Sequence, residues 1–283
     1  MAIERIDCAN DRRTAAYRDL SDADLLRARG VFVAEGRLVV RRTIEDSRYE
    51  VESVLVNEAA LRDLAAPIER LDPSIPVLVC RARDFAGLTG FDIHRGCLAL
   101  VRRPPAMRVA ALIDTASKVV VLDGVANADN VGGVFRNAAA FGVGAVILGP
   151  TTCDPLYRKA VRTSMAATLQ VPFARARDDE WPAALDAMRA RGFTVVALTP
   201  REPSEALDLF AARPRPARIA LVVGAEGHGL TPSVEAAADK RVRIPISDGV
   251  DSLNVAVAVG IALYALGGGR RSTQSTPNAQ KQS

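Results

Sequence analysis

Histidine and cysteine are scarce in this chain, and their scarcity argues against several kinds of site. The 283 residues include two histidines and four cysteines. The cysteines Cys8, Cys80, Cys97 and Cys153 form no Cys-x-x-Cys pair, so neither a zinc site nor a disulfide framework is expected. We therefore predict free thiols, as is usual for proteins of a reducing cytosol.

Long apolar runs are missing as well. The N-terminus has no apolar signal region, and the longest apolar helix candidate, over 255–266, is too short to span a bilayer. Hydrophobic residues make up 49% and charged residues 25% of the chain, as in ordinary globular proteins. We therefore expect a cytoplasmic protein without a membrane partner.

Lysine is rare among the 37 basic residues, of which four are lysines, so arginine dominates. Arginine suits bidentate contact with phosphate groups, although a GC-rich genome explains the same bias. The formal net charge of +4 permits an anionic partner but does not require one.

The pattern of apolar residues and breakers divides the chain into two α/β units. Residues 1–20 are polar and basic and are expected to form a flexible arm, followed by a small module over 21–105. A proline-containing linker over 106–117 precedes the second unit, over 118–269. The Gly-, Ser-, Gln- and Arg-rich segment 270–283 is expected to be disordered.

Hydrophobic periodicity assigns helices and strands within both units. The first unit is predicted to have helices over 35–47 and 59–71, and strands over 51–56, 76–80 and 96–101. The second is predicted to have strands over 119–122, 145–148, 171–174, 194–198, 219–223 and 242–246, with helices starting at Asn130, Pro155, Asp178, Thr231 and Ser252. Short apolar strands that alternate with helices are typical of a parallel sheet covered on both faces.

Three polar clusters follow strands of the second unit. Asn130 and Arg136 come after the strand at 119–122, Glu226 lies among glycines after the strand at 219–223, and Ser252 and Asn254 precede an apolar helix. Ligands of parallel sheets bind outside the carboxyl ends of the strands. The three clusters are therefore predicted to form one site.

Each of these residues also has an ordinary structural interpretation. Arg136 can be a member of a structural ion pair, with Glu226 as its partner or as a solvated turn residue. Asn130 and Ser252 can be helix caps, and Asn254 a buried hydrogen-bonding residue. The Gly-x-Gly-x-x-Gly fingerprint and the P-loop are both absent, which argues against dinucleotide and ATP sites.

Together the three clusters resemble the signature motifs of the SpoU/TrmH branch of the SPOUT RNA ribose 2′-O-methyltransferases. They match an Asn-x-Gly-x-x-x-Arg block, a Gly-x-Glu-x-x-Gly block and an Ile-Pro…Ser-Leu-Asn block. The residues that carry the resemblance are Asn130, Gly132, Arg136, Gly224, Glu226, Gly229, Ile244, Pro245, Ser252, Leu253 and Asn254. Segments 32–36 and 94–97 resemble the ribosomal-protein-like substrate-binding domain of the family.

The resemblance implies an α/β fold whose catalytic domain has a parallel sheet and a C-terminal trefoil knot, after a small N-terminal α/β domain. It implies S-adenosylmethionine (AdoMet) as methyl donor, no metal, a homodimer and a structured RNA substrate. Ribosomal RNA is favoured over tRNA because of the dedicated N-terminal module. The alternatives are a tRNA 2′-O-methyltransferase, a catalytically inactive RNA-binding protein of this fold, and a nicotinamide-dependent oxidoreductase.

The resemblance also implies a role for each motif residue. Arg136 would hold a phosphate and stabilise the developing alkoxide, Asn130 or Ser252 would share the proton path, Glu226 would orient Arg136 or a facing backbone, and Asn254 would fix the loop. The residues implied to hold AdoMet are Thr199, Gly224, Ile244 and Leu253.

One position departs from the family pattern. Many relatives have Ser-x-Gly-Ala where this chain has Ser164-Met165-Ala166-Ala167. The added methyl group is tolerated in ordinary helix and is less well tolerated if φ is positive.

Overall fold

The computed structural model describes residues 3–8, 11–18, 21–89 and 96–267. These residues form two α/β units, each built around its own sheet. The N-terminal sheet has the spatial order β1-β4-β3-β5-β2 and consists of β1 (Ile3–Arg5), β2 (Val31–Glu35), β3 (Val51–Asn57), β4 (Val77–Cys80) and β5 (Cys97–Arg102). Strands β1, β3 and β4 run parallel, whereas β5 is antiparallel to both β3 and β2.

The C-terminal sheet is parallel throughout, as the alternation of strands and helices predicts. Its order is β10-β12-β9-β11-β6-β7-β8, with β6 (Lys118–Asp123), β7 (Ala145–Leu148), β8 (Phe173–Arg175), β9 (Phe193–Leu198), β10 (Glu205–Ala206), β11 (Arg218–Gly224) and β12 (Lys240–Arg243). Gly224 pairs with Asp123 in the register of β11 with β6. The loops that follow these strands therefore begin at one edge of the sheet.

Helices cover both sheets. Those of the N-terminal unit are α1 (Ala15–Arg18), α2 (Asp22–Asp24), α3 (Arg37–Glu45), α4 (Glu58–Asp63), α5 (Ala65–Ile68) and α6 (Ala82–Thr89). Those of the C-terminal unit are α7 (Val109–Thr115), α8 (Ala128–Ala140), α9 (Arg158–Thr163), α10 (Ala183–Arg189), α11 (Leu207–Ala211), α12 (Pro232–Ala236) and α13 (Val255–Gly267).

The C-terminal unit has three layers because side chains of its buried strands alternate between two cores. Along β6, Val120 and Leu122 pack in the core beneath α8 and α13, whereas Val119 and Val121 pack in the core beneath α7, α10 and α12. None of the helices formed by the described residues has the length and apolarity needed to cross a bilayer.

The two units are joined by an apolar interface with charged contacts around it. Val161 and Leu169 of the C-terminal unit belong to the same buried cluster as Phe32 of β2. Beside them, the buried carboxylate of Glu35 accepts a hydrogen bond of 2.7 Å from Nε of Arg158. The N-terminal unit therefore packs against α9 of the C-terminal unit.

Two predicted boundaries of the units are wrong. The expected flexible arm over 1–20 is ordered in its described part, because β1 pairs with β4 and Tyr17 is buried with its hydroxyl 2.7 Å from Ser53 Oγ. The predicted linker over 106–117 contains α7, whose Ile113 is buried in the C-terminal core. The predicted disordered tail from residue 270 and the segment around His94 lie outside the described residues.

The prediction of four free thiols is also wrong. Cys8 and Cys80 form a disulfide, with Cα atoms 5.8 Å apart, which links the segment after β1 to the end of β4. Cys97 and Cys153 are free. Burial raises the pKa of the Cys97 thiol to about 12 and that of the Cys153 thiol to about 11.

Candidate active site

A cavity of about 380 Å³ opens at the carboxyl ends of β9, β11 and β12. Its walls are formed by the loops at 199–201, 224–230 and 244–253, all of which follow these strands. The residues implied to hold a cofactor, Thr199, Gly224, Ile244 and Leu253, line this cavity, together with Glu226 and Ser252. Apolar walls with a few polar groups at such an edge are typical of small-molecule sites.

Gly224 lies where two backbone segments cross. A Cβ atom at this position would be 2.1 Å from the carbonyl carbon of Gly229 and 2.3 Å from the nitrogen of Leu230. The loop between them is closed by mutual backbone hydrogen bonds of Ala225 and Gly229. The glycine therefore lets the loop fold back on its own strand and form one wall of the cavity.

The side chain of Asn254 links all three motifs. Its Nδ2 donates to Oδ1 of Asn130 at 2.8 Å and to Oε1 of Glu226 at 2.9 Å. Its Oδ1 accepts from the backbone nitrogens of Ala256 at 3.0 Å and Val257 at 3.3 Å, so Asn254 also caps α13. The helix accordingly starts at Val255, not at Ser252 as predicted.

Asn130 is not the cap of α8. Asn127 has that role, because its side chain accepts from the nitrogen of Asp129 at 2.9 Å. Asn130 is 5% exposed and lies in the first turn, where its side chain reaches Asn254.

Two consecutive glycines place α8 between its neighbours. A Cβ at Gly132 would be 2.7 Å from the carbonyl oxygen of Ala160 in α9, and one at Gly133 would be 2.6 Å from Cβ of Ala256 in α13. Asn137 adds a hydrogen bond of 2.6 Å to the carbonyl of Ala256. Helix α8, which carries Asn130 and Arg136, is therefore held closely on two sides.

Arg136 lies on the outer face of α8, where its side chain is exposed. It has no hydrogen bond or ion pair with any described residue, and it is not among the residues that line the cavity. The expected pairing of Glu226 with Arg136 is absent, because Glu226 accepts from Asn254 instead. The structure thus brings Asn130, Glu226 and Asn254 together but leaves Arg136 apart from them.

The sequence did not reveal a second cluster at the cavity. Arg201 donates from Nη2 to the carbonyl of His228 at 2.5 Å and from Nη1 to Oε2 of Glu235 at 3.3 Å. The other carboxylate oxygen of Glu235, which is 8% exposed, accepts from Oγ1 of Thr199 at 3.2 Å. Arg201 therefore connects two walls of the cavity. In the sequence, the only sign of this cluster was a charged residue shortly after the end of a strand.

The departure from the family pattern falls on left-handed backbone. Met165 has φ 53° and Ala166 has φ 66°, and Ala166 is fully buried at the interface between the two units. An alanine therefore stands where a glycine would avoid steric strain.

Within the described part of the chain, no group of three or more His, Cys, Asp and Glu side chains is arranged to hold a metal ion.

Comparisons with known proteins agree with the three motifs. The model of the SpoU rRNA Methylase family matches residues 117–264. A protein of Mycobacterium bovis named as an uncharacterized tRNA/rRNA methyltransferase is 40% identical over 259 residues, covering 90% of this chain and 88% of the relative. The 23S rRNA (guanosine(2553)-2′-O)-methyltransferase RlmP of Bacillus subtilis is 25% identical over 266 residues, covering 94% of this chain and all of the relative.

The fold is shared with solved structures. The crystal structure of an AdoMet-bound rRNA methyltransferase from Sinorhizobium meliloti superposes with a TM-score of 0.76 at 22% identity, covering 93% of this chain and 97% of the other. The family model covers more than half of the chain and includes the strand ends that carry all three motifs. The chain therefore belongs to the SpoU rRNA methylase family and is an RNA methyltransferase of that family.

Proposed function

We propose that this protein is a cytoplasmic, AdoMet-dependent enzyme that methylates a ribose 2′-hydroxyl in structured ribosomal RNA. The observation that carries the proposal is the contact of Asn254 with both Asn130 and Glu226 beside the cavity. Three segments that are far apart in sequence meet there, and along the chain they occur in the same order as the family motifs. The name of the Bacillus subtilis relative specifies 2′-O-methylation of 23S rRNA and supports both the position of the methyl group and the RNA class.

The residues around the cavity fit AdoMet. The cavity of about 380 Å³ is within the range of small-molecule sites. Ile244 and Leu253 form apolar parts of the wall, and the close approach at Gly224 holds the backbone of the loop at 225–230 beside the cavity. Thr199, Gly224, Ile244 and Leu253 would hold the molecule, which supplies an electrophilic methyl group on a positively charged sulfur when bound.

The protein must align the ribose hydroxyl and accept its proton. Arginine remains protonated in proteins, so Arg136 would hold the adjoining phosphate and stabilise the negative charge that develops on the ribose oxygen. Ser252 lines the cavity, and its side chain has no partner among the described residues. Oδ1 of Asn130 already accepts from Asn254, so Ser252 is better placed than Asn130 to share the proton path.

We further propose a homodimer that uses the exposed face of α13. Val257, Ile261 and Tyr264 lie on one side of this apolar helix and are 52%, 39% and 71% exposed. Arg136 lies on the neighbouring helix and outside the cavity of its own chain, so a second copy packed there would bring another chain close to Arg136. Ile261→Asp should yield a monomer in light scattering with a loss of methyl transfer, and an unchanged dimer would contradict this interface.

A trefoil knot is proposed for the segment that follows β12. This segment, 244–254, runs beside the glycine loop at 225–230, and both line the same cavity. Passage of the segment beneath that loop would bring α13 to α8, where the two helices touch at Gly133. Tracing the backbone in a crystal structure tests this path directly.

Transfer of labelled methyl from AdoMet to unmodified rRNA and to tRNA tests the proposed activity. The wild-type protein should label rRNA at a ribose. Arg136→Ala should lose labelling while retaining its melting temperature, since Arg136 is exposed and pairs with none of the residues that the structure describes. Arg136→Lys keeps the charge but not the bidentate geometry and should retain partial activity. Labelling of tRNA alone would overturn the substrate assignment, and failure of the wild-type protein to bind AdoMet would refute the proposed enzyme.

A further inference from the structure

Cationic side chains lie on both sides of the boundary between the two units, on helices α3, α9 and α8. We name Arg42, Arg162, Lys159 and Arg136 the interdomain basic strip. Nη1 of Arg42 donates to the carbonyl of Met165 at 2.8 Å, three residues beyond Arg162. The N-terminal unit thus places a guanidinium group next to the end of α9.

The strip continues from α9 onto α8. Nζ of Lys159 is 2.8 Å from Oδ2 of Asp129, and Thr163 donates to the other oxygen of that carboxylate at 2.9 Å. Arg136 follows Asp129 by seven residues, which is about two helical turns, so both lie on the same face of α8. The close approach of α9 at Gly132 keeps the two helices side by side along this face.

Two carboxylates accompany the strip, and they leave it with an excess of positive charge. Glu35 is buried and pairs with Arg158 at 2.7 Å and with Arg162 at 3.4 Å. Asp129 pairs with Lys159, and the hydrogen bond from Lys159 holds the pKa of Asp129 below its usual value. The four cations of the strip therefore outnumber the two carboxylates that pair with its members.

Three of the four cations of the strip are exposed, and Arg42 is half-buried. The side chains of Lys159 and Arg162 are 54% and 44% exposed, although each is oriented by a carboxylate. Arg136 is exposed and has no partner among the described residues. Asp129 directly precedes Asn130, which accepts a hydrogen bond from Asn254. The part of the strip where Lys159 pairs with Asp129 therefore lies next to these two asparagines.

We infer that the interdomain basic strip carries the sugar–phosphate backbone of the RNA substrate from the N-terminal unit to the target ribose. Lys and Arg side chains position nucleic acids through their phosphate groups. The ion pairs of Glu35 with Arg158 and Arg162 link α9 to the N-terminal unit, so cations of both units are presented on one surface. The inference rests on the proposed function for the target ribose at its end, and it adds the path by which the RNA arrives.

The full-length protein is tested with an unmodified 23S rRNA transcript over a series of salt concentrations. Lys159→Ala and Arg162→Ala should each weaken binding about fivefold at low salt and reduce the slope of log affinity against log salt by about 0.7 to 0.9. Arg189→Ala and Lys240→Ala are the matched controls. Arg189 is also paired with an acidic residue and is 42% exposed, and Lys240 is an exposed lysine at the opposite edge of the sheet.

Further measurements separate this inference from a folding defect and from the proposed activity. Arg162→Lys should restore the salt slope, and none of the variants should alter the affinity for S-adenosylhomocysteine. If Lys159→Ala and Arg162→Ala bind with the slope of the controls while the wild-type protein labels a ribose, the strip is refuted and the proposed activity stands. If their slopes fall but the wild-type protein labels no RNA, the strip stands and the proposed activity fails.

Discussion

Replacement of Asn254 by alanine tests whether the three motifs form one hydrogen-bonded network. The substitution removes the acceptor of two backbone nitrogens at the start of α13 and the donor to Asn130 and Glu226. Loss of an asparagine cap costs about 1 kcal/mol. Leaving the buried side-chain oxygen of Asn130 without a donor costs about 1 to 2 kcal/mol more.

The expected loss of unfolding free energy for Asn254→Ala is therefore about 2 to 3 kcal/mol. The lost hydrogen bond to Glu226 adds little to this loss of free energy, because the carboxylate of Glu226 is exposed and is hydrated in the variant. Urea denaturation followed by circular dichroism measures this loss. Because Leu253 lines the cavity next to Asn254, calorimetry should also show affinity for S-adenosylhomocysteine reduced about tenfold, or about 1.4 kcal/mol.

Two further variants distinguish the network from the cap. Asn127→Ala removes the exposed cap of α8 and should cost only about 1 kcal/mol. Asn254→Asp keeps an acceptor for α13 but places a carboxylate against Glu226 and the oxygen of Asn130, so it should lose ligand affinity while retaining the cap. Equal losses for Asn254→Ala and Asn127→Ala, with unchanged affinity for S-adenosylhomocysteine, would refute the network.

Three other substitutions or treatments have defined outcomes. Gly224→Ala would place a Cβ 2.1 Å from backbone of Gly229, so calorimetry should show no binding of S-adenosylhomocysteine; wild-type affinity would contradict the close approach. Glu35→Gln removes a buried charge that two arginines of α9 share and should lower the free energy of unfolding by about 2 to 3 kcal/mol in urea, whereas a loss below about 0.5 kcal/mol, as at an ordinary surface site, would show that the ion pairs do not secure the interface. The raised pKa values of Cys97 and Cys153, about 12 and 11, leave little thiolate at pH 8, so alkylation of the native protein should be slow and should accelerate only as the pH rises toward those values; rapid labelling at pH 8 would contradict their burial.

Six of the seven described strands of the C-terminal unit were predicted, because breaker residues or changes in hydropathy mark their ends, whereas the two-residue strand β10 was not. Ala145–Leu148 was predicted with its observed limits, since glycines precede and follow it. The strand predicted over 242–246 ends instead at Arg243, because Pro245 has no N–H to donate to a neighbouring strand.

Elements that depend on distant partners were not predictable. The apolar segment Val31–Glu35 forms a fully buried strand only because β5 lies beside it, and the expected flexible arm is ordered by the pairing of β1 with β4. Neither partner can be deduced from the residues themselves.

The candidate site likewise contains residues that were predictable from the sequence and contacts that were not. Residues at strand ends, such as Thr199 and Gly224, were predictable because parallel strands deliver them to one edge. The hydrogen bond between Asn130 and Asn254 joins residues 124 positions apart. From the sequence, Asn130 was therefore interpreted as a possible cap and Asn254 as a separate buried hydrogen-bonding residue. The hydrogen bonds of Arg201 to Glu235 of α12 and to the carbonyl of His228 join segments that are distant in sequence, so only the charge of Arg201 after a strand end could have indicated them.

The glycine pair of α8 has a consequence for the order in which the domain forms. Glycine inside a helix costs about 1 kcal/mol relative to alanine, so Gly132 and Gly133 make this segment a poor helix when it is isolated. Short helices in water gain most of their stability from the elements packed against them, and here those elements are α9 and α13. We therefore expect the segment that carries Asn130 and Arg136 to become helical only when α9 and α13 pack against it, so that the candidate site forms cooperatively with the rest of the domain.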